Sequence, residues 1–138
     1  MNHWIMAPLL LPLLAGLLNL LLVDRGPGVQ RTISLIATAA LAAVAILLVG
    51  VVSDGSIDVY QLGDWSAPFG IVLVLDRLSA LLLLTTALLA LLVMLFAVNG
   101  EDQRGRDFHV LFQLQLLGIN GAFLTGDLFN LFVFFEIL

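Results

Sequence analysis

The chain has 138 residues, of which 62% are hydrophobic and only 11% are charged, whereas soluble domains are roughly 45–50% apolar and about 25% charged. A soluble domain of this length could not bury so much apolar surface, so the composition predicts an integral membrane protein in a lipid bilayer. The net charge of −5 and the absence of cysteine argue against nucleic acid as a partner and exclude disulfides, cysteine-bound metals and iron–sulfur clusters.

Apolar runs along the chain predict an all-α membrane protein. A helix needs about 20 apolar residues to cross the hydrocarbon core, and four runs reach or approach that length. A fifth run begins near Asp127 and is too short to cross. We therefore expect four complete transmembrane helices and a truncated fifth in a single membrane domain, residues 1–138. The predicted helices cover residues 4–23, 32–52, 78–98, 108–125 and 127–138.

The polar segment between the second and third predicted helices has a strand pattern. Residues 57–62 alternate apolar and polar side chains, residues 71–75 are aliphatic, and the residues between them are rich in turn formers. This pattern predicts a small β-hairpin, for which Tyr60, Trp65 and Phe69 would be interfacial anchors. Asp76 is predicted to cap the third helix.

The distribution of arginine predicts the orientation. The first polar segment carries Arg25 and Arg31 and the third carries Arg104 and Arg106, whereas the acidic second segment has only Arg77 at its end. Cytoplasmic segments are enriched in basic residues. We therefore expect the first and third segments in the cytoplasm and the N-terminus and hairpin outside, in the cell membrane of a prokaryote.

Glu136 is the one formally charged side chain inside the predicted spans. It lies about 14 Å along a helix that begins at Asp127, which places it near the middle of a core about 30 Å thick. Burial there favours the protonated form unless a cation is close, and no arginine of the chain is predicted at that depth. An ionisable group in such a place predicts a proton or ion relay; the alternative is a neutral carboxyl that joins helices.

Further polar residues accompany Glu136. Gln113 and Asn120 share one face of the fourth predicted helix, and they either line a hydrated path or hold helices together. For Asn130, one turn into the fifth helix, the same two roles are open: it lines a hydrated path or holds helices together. His109, at the end of the fourth helix, is interpreted as an interface residue, with a proton shuttle as the alternative, and Asn19 is interpreted as a packing residue. No phosphate-binding loop, metal-ligand cluster or nucleophile–base pair is present in the sequence, so we expect no cofactor and no metal.

Two stretches carry a resemblance to a known family. Residues 112–136, which end in Phe134, Phe135 and Glu136, and residues 67–80 resemble the D subunit of Mrp-type cation/proton antiporters, with matching order and spacing along the chain. Antiporter-like subunits of respiratory complex I and of membrane-bound hydrogenases share the glutamate in a less similar context. The chain is therefore interpreted as an N-terminal fragment of such a subunit.

The resemblance implies a larger fold of about fourteen helices with two inverted repeats. By position, Glu136 is the glutamate that in this family pairs with a lysine of the seventh helix, a residue outside these 138. The implied function is proton movement coupled to a monovalent cation, sodium by the resemblance, beside other antiporter subunits. The alternatives are a proton-pumping membrane subunit of an NADH-quinone oxidoreductase or hydrogenase, which would make it part of an enzyme, and a scaffold that transports nothing.

Overall fold

The computed structural model describes residues 3–64 and 70–138. Five α-helices and two short strands follow one another, with single 3-10 turns between some of them. The elements are α1 (Ala7–Leu21), α2 (Pro27–Val51), β1 (Asp58–Gln61), β2 (Val72–Leu75), α3 (Arg77–Ala97), α4 (Phe108–Leu124) and α5 (Leu128–Ile137).

Within the described residues, three helices are long and apolar enough to cross a membrane: His3–Leu21, Pro27–Val51 and Arg77–Ala97. The sequence predicted four. The difference is α4, which has 17 residues and a length of about 25 Å, slightly less than a hydrocarbon core of about 30 Å. The fifth helix has 10 residues.

The start of α2 differs from the prediction. The helix begins at Pro27, five residues before the predicted start at 32, because proline at the first helical position needs no backbone donor. Gly26 precedes it with a φ of 96°, a conformation that glycine adopts without strain. Arg31 is therefore a helical residue and does not belong to the connecting loop in which the sequence pattern placed it.

Small side chains allow the helices to pack closely. The buried face of α2 contains Ser34, Thr38, Ala42 and Ala45, and α2 packs mainly against α1 and α3. Alanine also dominates the buried stripe of α3. Without a hydrophobic drive between helices in lipid, close backbone approach is what stabilises such a bundle.

The two strands form an antiparallel pair in which Asp58 lies opposite Leu75 and Gln61 opposite Val72. The sequence predicted both strands; Trp65 and Phe69 lie outside the described residues. The N-terminal segment joins this sheet, since the Nδ1 atom of His3 lies 3.1 Å from the hydroxyl of Tyr60.

The sheet also holds the turn between α4 and α5. Gly126 donates its backbone N–H to the carbonyl of Val72 over 2.7 Å, and Thr125 forms a bridge with Leu73. A Cβ at Gly126 would lie 2.7 Å from Val74 Cγ2, so only glycine lets the turn approach the strand this closely. The sheet thereby fixes the point from which α5 starts.

The two glycines of α4 lie against α5. A Cβ at Gly121 would lie 2.1 Å from Cδ1 of Phe134, and one at Gly118 would lie 3.0 Å from Cδ2 of Leu138. Both glycines therefore serve close packing of the two helices. They set the distance between α4 and the helix that carries Glu136.

We expect Gly121→Ala to destabilise the protein by about 1–3 kcal/mol, because the added methyl group overlaps the ring of Phe134 and forces α5 outward. Thermal unfolding in detergent measures the effect. Gly50→Ala is the matched control, since nothing lies within 4 Å of a Cβ at that helical position, and alanine there should be neutral or slightly stabilising. Equal stability of the two variants would contradict the described contact between α4 and α5.

Candidate functional site

The helix that carries Glu136 is capped by an acidic side chain. The Oδ1 atom of Asp127 accepts a 2.8 Å hydrogen bond from the backbone N–H of Asn130, and the side chain of Asn130 donates to the other carboxylate oxygen. This backbone hydrogen bond lowers the pKa of Asp127, because it stabilises the carboxylate. Asp127 is the N-cap of α5, and Asn130, which is buried, supports that cap.

Glu136 lies on the face of α5 that points away from α4. The opposite face carries Asn130, Phe134 and Leu138, of which the last two touch the glycines of α4. The side chain of Glu136 is exposed, and its helix face also presents Phe129 and Phe132, which are 78% and 71% exposed. None of the four ion pairs found in the described part of the chain includes Glu136.

Gln113 and Asn120 are both buried on the face of α4 that packs against α1. A Cβ at Gly16 of α1 would lie 3.5 Å from Cβ of Gln113. Asn120 donates its side-chain amide to the carbonyl of Pro8 over 2.9 Å. That carbonyl lacks a helical donor because Pro12, four residues later, has no N–H. Asn120 thus supplies the hydrogen bond that Pro12 cannot make.

We expect Asn120→Leu to destabilise the protein by about 1 kcal/mol, since it leaves the carbonyl of Pro8 without a donor inside the bundle. In a Pro12→Ala background the same change should cost less, because alanine at that position restores the backbone donor. A double-mutant cycle by thermal unfolding measures this coupling. Equal effects in both backgrounds would show that Asn120 does not serve this carbonyl.

A second polar cluster lies at the other end of α4. Arg31 of α2 binds Asp102 through two hydrogen bonds, Nε to Oδ2 at 2.5 Å and Nη2 to Oδ1 at 2.7 Å. The Nε2 atom of His109 lies 3.2 Å from the same Oδ2 atom. Asp102 and His109 are 4% and 2% exposed, so the interpretation of His109 as an interface residue is wrong. The ring lies between Ser34 of α2 and Asp102 of the α3–α4 connection.

The cluster continues inward from His109. Its Nδ1 atom lies 3.1 Å from Oγ of Ser34, and the same hydroxyl accepts a 3.0 Å hydrogen bond from the side-chain amide of Asn19. Gln30 donates to the backbone carbonyl of Asn19. Asn19, interpreted as packing from the sequence, is therefore part of a polar network. The helical spacing of Gln30 and Ser34 could have suggested a shared polar face, whereas their partners on other helices could not be found from the sequence.

Hydrogen bonds from Arg31 are the main reason that the pKa of Asp102 is lowered, although burial opposes them. The carboxylate is thus ionised at neutral pH and balances the guanidinium. Three buried polar atoms in the described ranges have no hydrogen-bond partner: Oδ1 of Asn19, Nε2 of Gln113 and Oδ1 of Asn120. Residues 3–64 and 70–138 contain no group of three or more side chains suited to hold a metal ion.

No family model matches the chain, but solved structures define its class. It is similar over 99% of its length to 28% of a chain in the membrane-bound sulfane sulfur reductase, an archaeal respiratory membrane complex, with a TM-score of 0.91 and 30% identity. It is similar over 99% of its length to 26% of a chain in the Mrp complex from Dietzia sp. DQ12-45-1b, with a TM-score of 0.82 and 36% identity. The chain therefore has the mostly helical fold of this class of membrane complexes.

Comparison with curated relatives specifies the class of membrane protein more closely. The whole chain is 43% identical to part of the D subunit of a probable K(+)/H(+) antiporter of Rhizobium meliloti and 41% identical to part of the D subunit of the Na(+)/H(+) antiporter of Bacillus subtilis. It spans about a quarter of the length of these relatives, 26% and 28%. The predicted resemblance to the D subunit of multisubunit cation/proton antiporters is thus confirmed along this entire chain.

Proposed function

We propose that this chain is part of the D subunit of a multisubunit antiporter, which exchanges protons for a monovalent cation across the cell membrane of a prokaryote. The identity of 41–43% over the whole chain to antiporter subunits supports this proposal. Sodium is the cation that the sequence resemblance implies. The names of the two relatives include both potassium and sodium, so both belong in the test.

The observation that carries the proposal is the position of Glu136. Its carboxyl lies on a helix face crowded with exposed phenylalanine side chains, where direct contact of a charge with lipid costs at least about 2.5 kcal/mol. We propose that further helices of the assembled subunit cover this face. Glu136 then holds a proton between two steps of transport, and the family resemblance implies a lysine as its partner.

Gln113, Asn120 and Asn130 have different parts in this proposal. Asn120 joins α4 to α1, and Asn130 supports the cap from which α5 starts. Gln113 has a buried amide nitrogen without a partner in the described chain, which suits a group beside a water-filled path. No cofactor takes part in this mechanism.

The orientation is part of the proposal. Four arginines lie at one end of the bundle: Arg31 near the start of α2, and Arg25, Arg104 and Arg106 in the α1–α2 and α3–α4 connections. Arg77 alone lies at the other end, near β1 and β2. By the positive-inside rule the arginine-rich end is cytoplasmic, and the sheet and the N-terminus are outside. Residues 1–138 then form one membrane unit in which α4 crosses as a fourth span and α5 starts a fifth, within a larger fold of about fourteen helices.

Cation-driven proton exchange tests the function. The full-length protein in its complex is placed in vesicles with an imposed pH gradient, and sodium or potassium is added. We expect either cation to dissipate the gradient in vesicles that contain the complex and not in empty vesicles. A gradient that responds to neither cation would contradict the proposal.

A redox-driven proton pump is the second candidate, and the TM-score of 0.91 to a respiratory membrane complex supports it. Here the same carboxyl would respond to electron transfer in partner subunits. The two candidates differ in what drives proton movement: cation exchange in the antiporter and electron transfer in the pump. Proton movement that needs an electron donor and acceptor, and that persists without sodium or potassium, would favour the pump.

A further inference from the structure

We propose that His109 is a second proton-binding residue of this protein and takes up protons from water at the arginine-rich end of the bundle. The proposal rests on the proposed function, because it gives a proton-transporting subunit an uptake site apart from Glu136. Gly118 contacts Leu138 at the end of α5, so Glu136 lies near the level of Gly118. His109 is about 14 Å from that level along α4.

A cavity connects the His109 cluster with the surface. It has a volume of about 260 Å³, and its lining includes Gly26, Pro27, Gln30, Asp102 and Gln103. A water molecule needs about 30 Å³, so the cavity has room for several. Two of its lining residues, Gln30 and Asp102, are buried members of the polar network. Water in this cavity would therefore stand directly beside the carboxylate that contacts His109.

The partners of His109 suit both of its protonation states. When the ring is neutral, Nε2–H donates to the carboxylate of Asp102 and Nδ1 accepts from the hydroxyl of Ser34. When the ring is charged, both nitrogens donate, and the hydroxyl of Ser34 becomes the acceptor at Nδ1. The hydroxyl proton of Ser34 can then turn to the backbone carbonyl one helical turn earlier, a common bond for serine in helices. Neither state leaves a ring nitrogen without a partner.

The charges around the ring also permit proton uptake. From α2 the ring is faced by Arg31 and from the α3–α4 connection by Asp102, whose charges balance each other; α1 contributes the neutral Asn19. The remaining charges at this end of the bundle lie at the exposed rim: the pairs Glu101–Arg104 and Asp24–Arg106, together with Arg25 and Asp107. A proton on His109 is therefore met by the Asp102 carboxylate at 3.2 Å and not by an unpaired cation.

The network does not stop at Ser34. Asn19 holds that hydroxyl with its amide nitrogen, while its buried oxygen has no partner in the described residues, and the buried amide nitrogen of Gln113 has none either. Both residues lie at the α1–α4 interface, since Gly16, three residues before Asn19, packs against Gln113. A hydrogen-bond acceptor and a hydrogen-bond donor that both lack a partner at one buried interface together favour binding of an ordered water molecule. Such water would extend the hydrogen-bonded chain from His109 into the bundle.

Magnetic resonance of the imidazole groups tests proton binding directly. Comparison of the full-length protein with its His109→Gln variant, which lacks this imidazole, assigns the His109 signal. We expect the His109 ring to be neutral at about pH 8 and to take up a proton as the pH is lowered towards about 5. A ring that keeps one protonation state throughout this range would overturn the proposal.

Transport measurements test the role of His109 in proton exchange. In vesicles that contain the complex, His109→Gln keeps hydrogen bonding but cannot bind the proton, so we expect exchange to slow by at least about tenfold and its pH profile to change. Asn99→Ala, at an exposed position between α3 and α4 that does not line the cavity, should leave both unchanged. Ser34→Ala, which keeps the imidazole and its contact with Asp102, should shift the pH of half-maximal exchange.

The outcomes separate this proposal from the proposed function. If Glu136→Gln stops exchange while His109→Gln and Ser34→Ala both fold and exchange protons with the unmodified pH profile, His109 is not an uptake site and the antiporter function stands. If the unmodified complex exchanges no protons for cations, the proposed function fails. The resonance titration then still decides whether His109 binds a proton.

Discussion

Replacing Glu136 with glutamine is expected to reduce cation-driven proton exchange at least about a hundredfold, the effect of removing a positioned proton-transfer group. Glutamine keeps the size and the hydrogen-bonding capacity of the side chain but cannot hold a proton at this position. The side chain is exposed on α5 and makes no ion pair with the described residues, so the fold of this part should be preserved. Exchange is measured in vesicles that contain the complex.

The matched control for this variant is Asp127→Asn at the start of the same helix. Asn caps helices as well as Asp does, and the carboxylate of Asp127 accepts its side-chain and backbone hydrogen bonds from Asn130 in the first turn of α5. Near-normal exchange is expected from this change of acid to amide. If Glu136→Gln also exchanged at the unmodified rate, Glu136 would be a residue that joins helices, and the scaffold alternative would stand.

Removing the guanidinium of Arg31 is expected to produce the largest loss of stability. In Arg31→Leu the carboxylate of Asp102, 4% exposed, loses both of its strongest hydrogen bonds. An uncompensated buried charge of this kind costs about 3 kcal/mol. The double variant Arg31→Leu/Asp102→Leu should recover much of the loss, because no charge then remains to be compensated. Thermal unfolding of the three proteins in detergent measures both effects.

The stability that is lost in Arg31→Leu should depend on pH in a defined direction. Arg31 lowers the pKa of Asp102 in the folded state, so the pair stabilises the protein above the unfolded value of about 3.9. This contribution disappears as pH falls through the lowered value of the folded state. The difference in stability between the unmodified protein and Arg31→Leu should therefore be full at pH 7 and narrow below about pH 4. A difference that stays the same from pH 7 to well below pH 4 would show that the interaction is not ionic.

Elements marked by local chemistry could be predicted from the sequence. Asp76 caps α3 in a capping box with Ser79, and Asp127 caps α5, because a cap depends on residues within one turn. The strands follow from alternation of apolar and polar residues. The start of α2 was missed because its first turn, from Pro27 to Arg31, is polar and resembles a loop, although proline after glycine is a signal for a helix start.

Contacts between distant segments could not be predicted. The sequence alone gives no sign that His109 is buried, because Arg31, Asp102 and Ser34 reach it from separate parts of the chain. Only one side of the contact between Asn120 and Pro8 could be predicted from the sequence. Pro12 indicates a free carbonyl four residues earlier, but nothing local says which side chain will fill it. The polar network around His109 is thus a product of the packing of α1, α2 and α4.

Infrared difference spectroscopy of the complex tests most directly whether Glu136 holds a proton in the membrane. We predict a protonated-carboxyl band that shifts in heavy water, weakens when sodium or potassium is added at constant pH, and is missing from the Glu136→Gln complex. A spectrum in which the unmodified and Glu136→Gln complexes show the same carboxyl bands at every pH and cation concentration would contradict a proton-holding role for this residue.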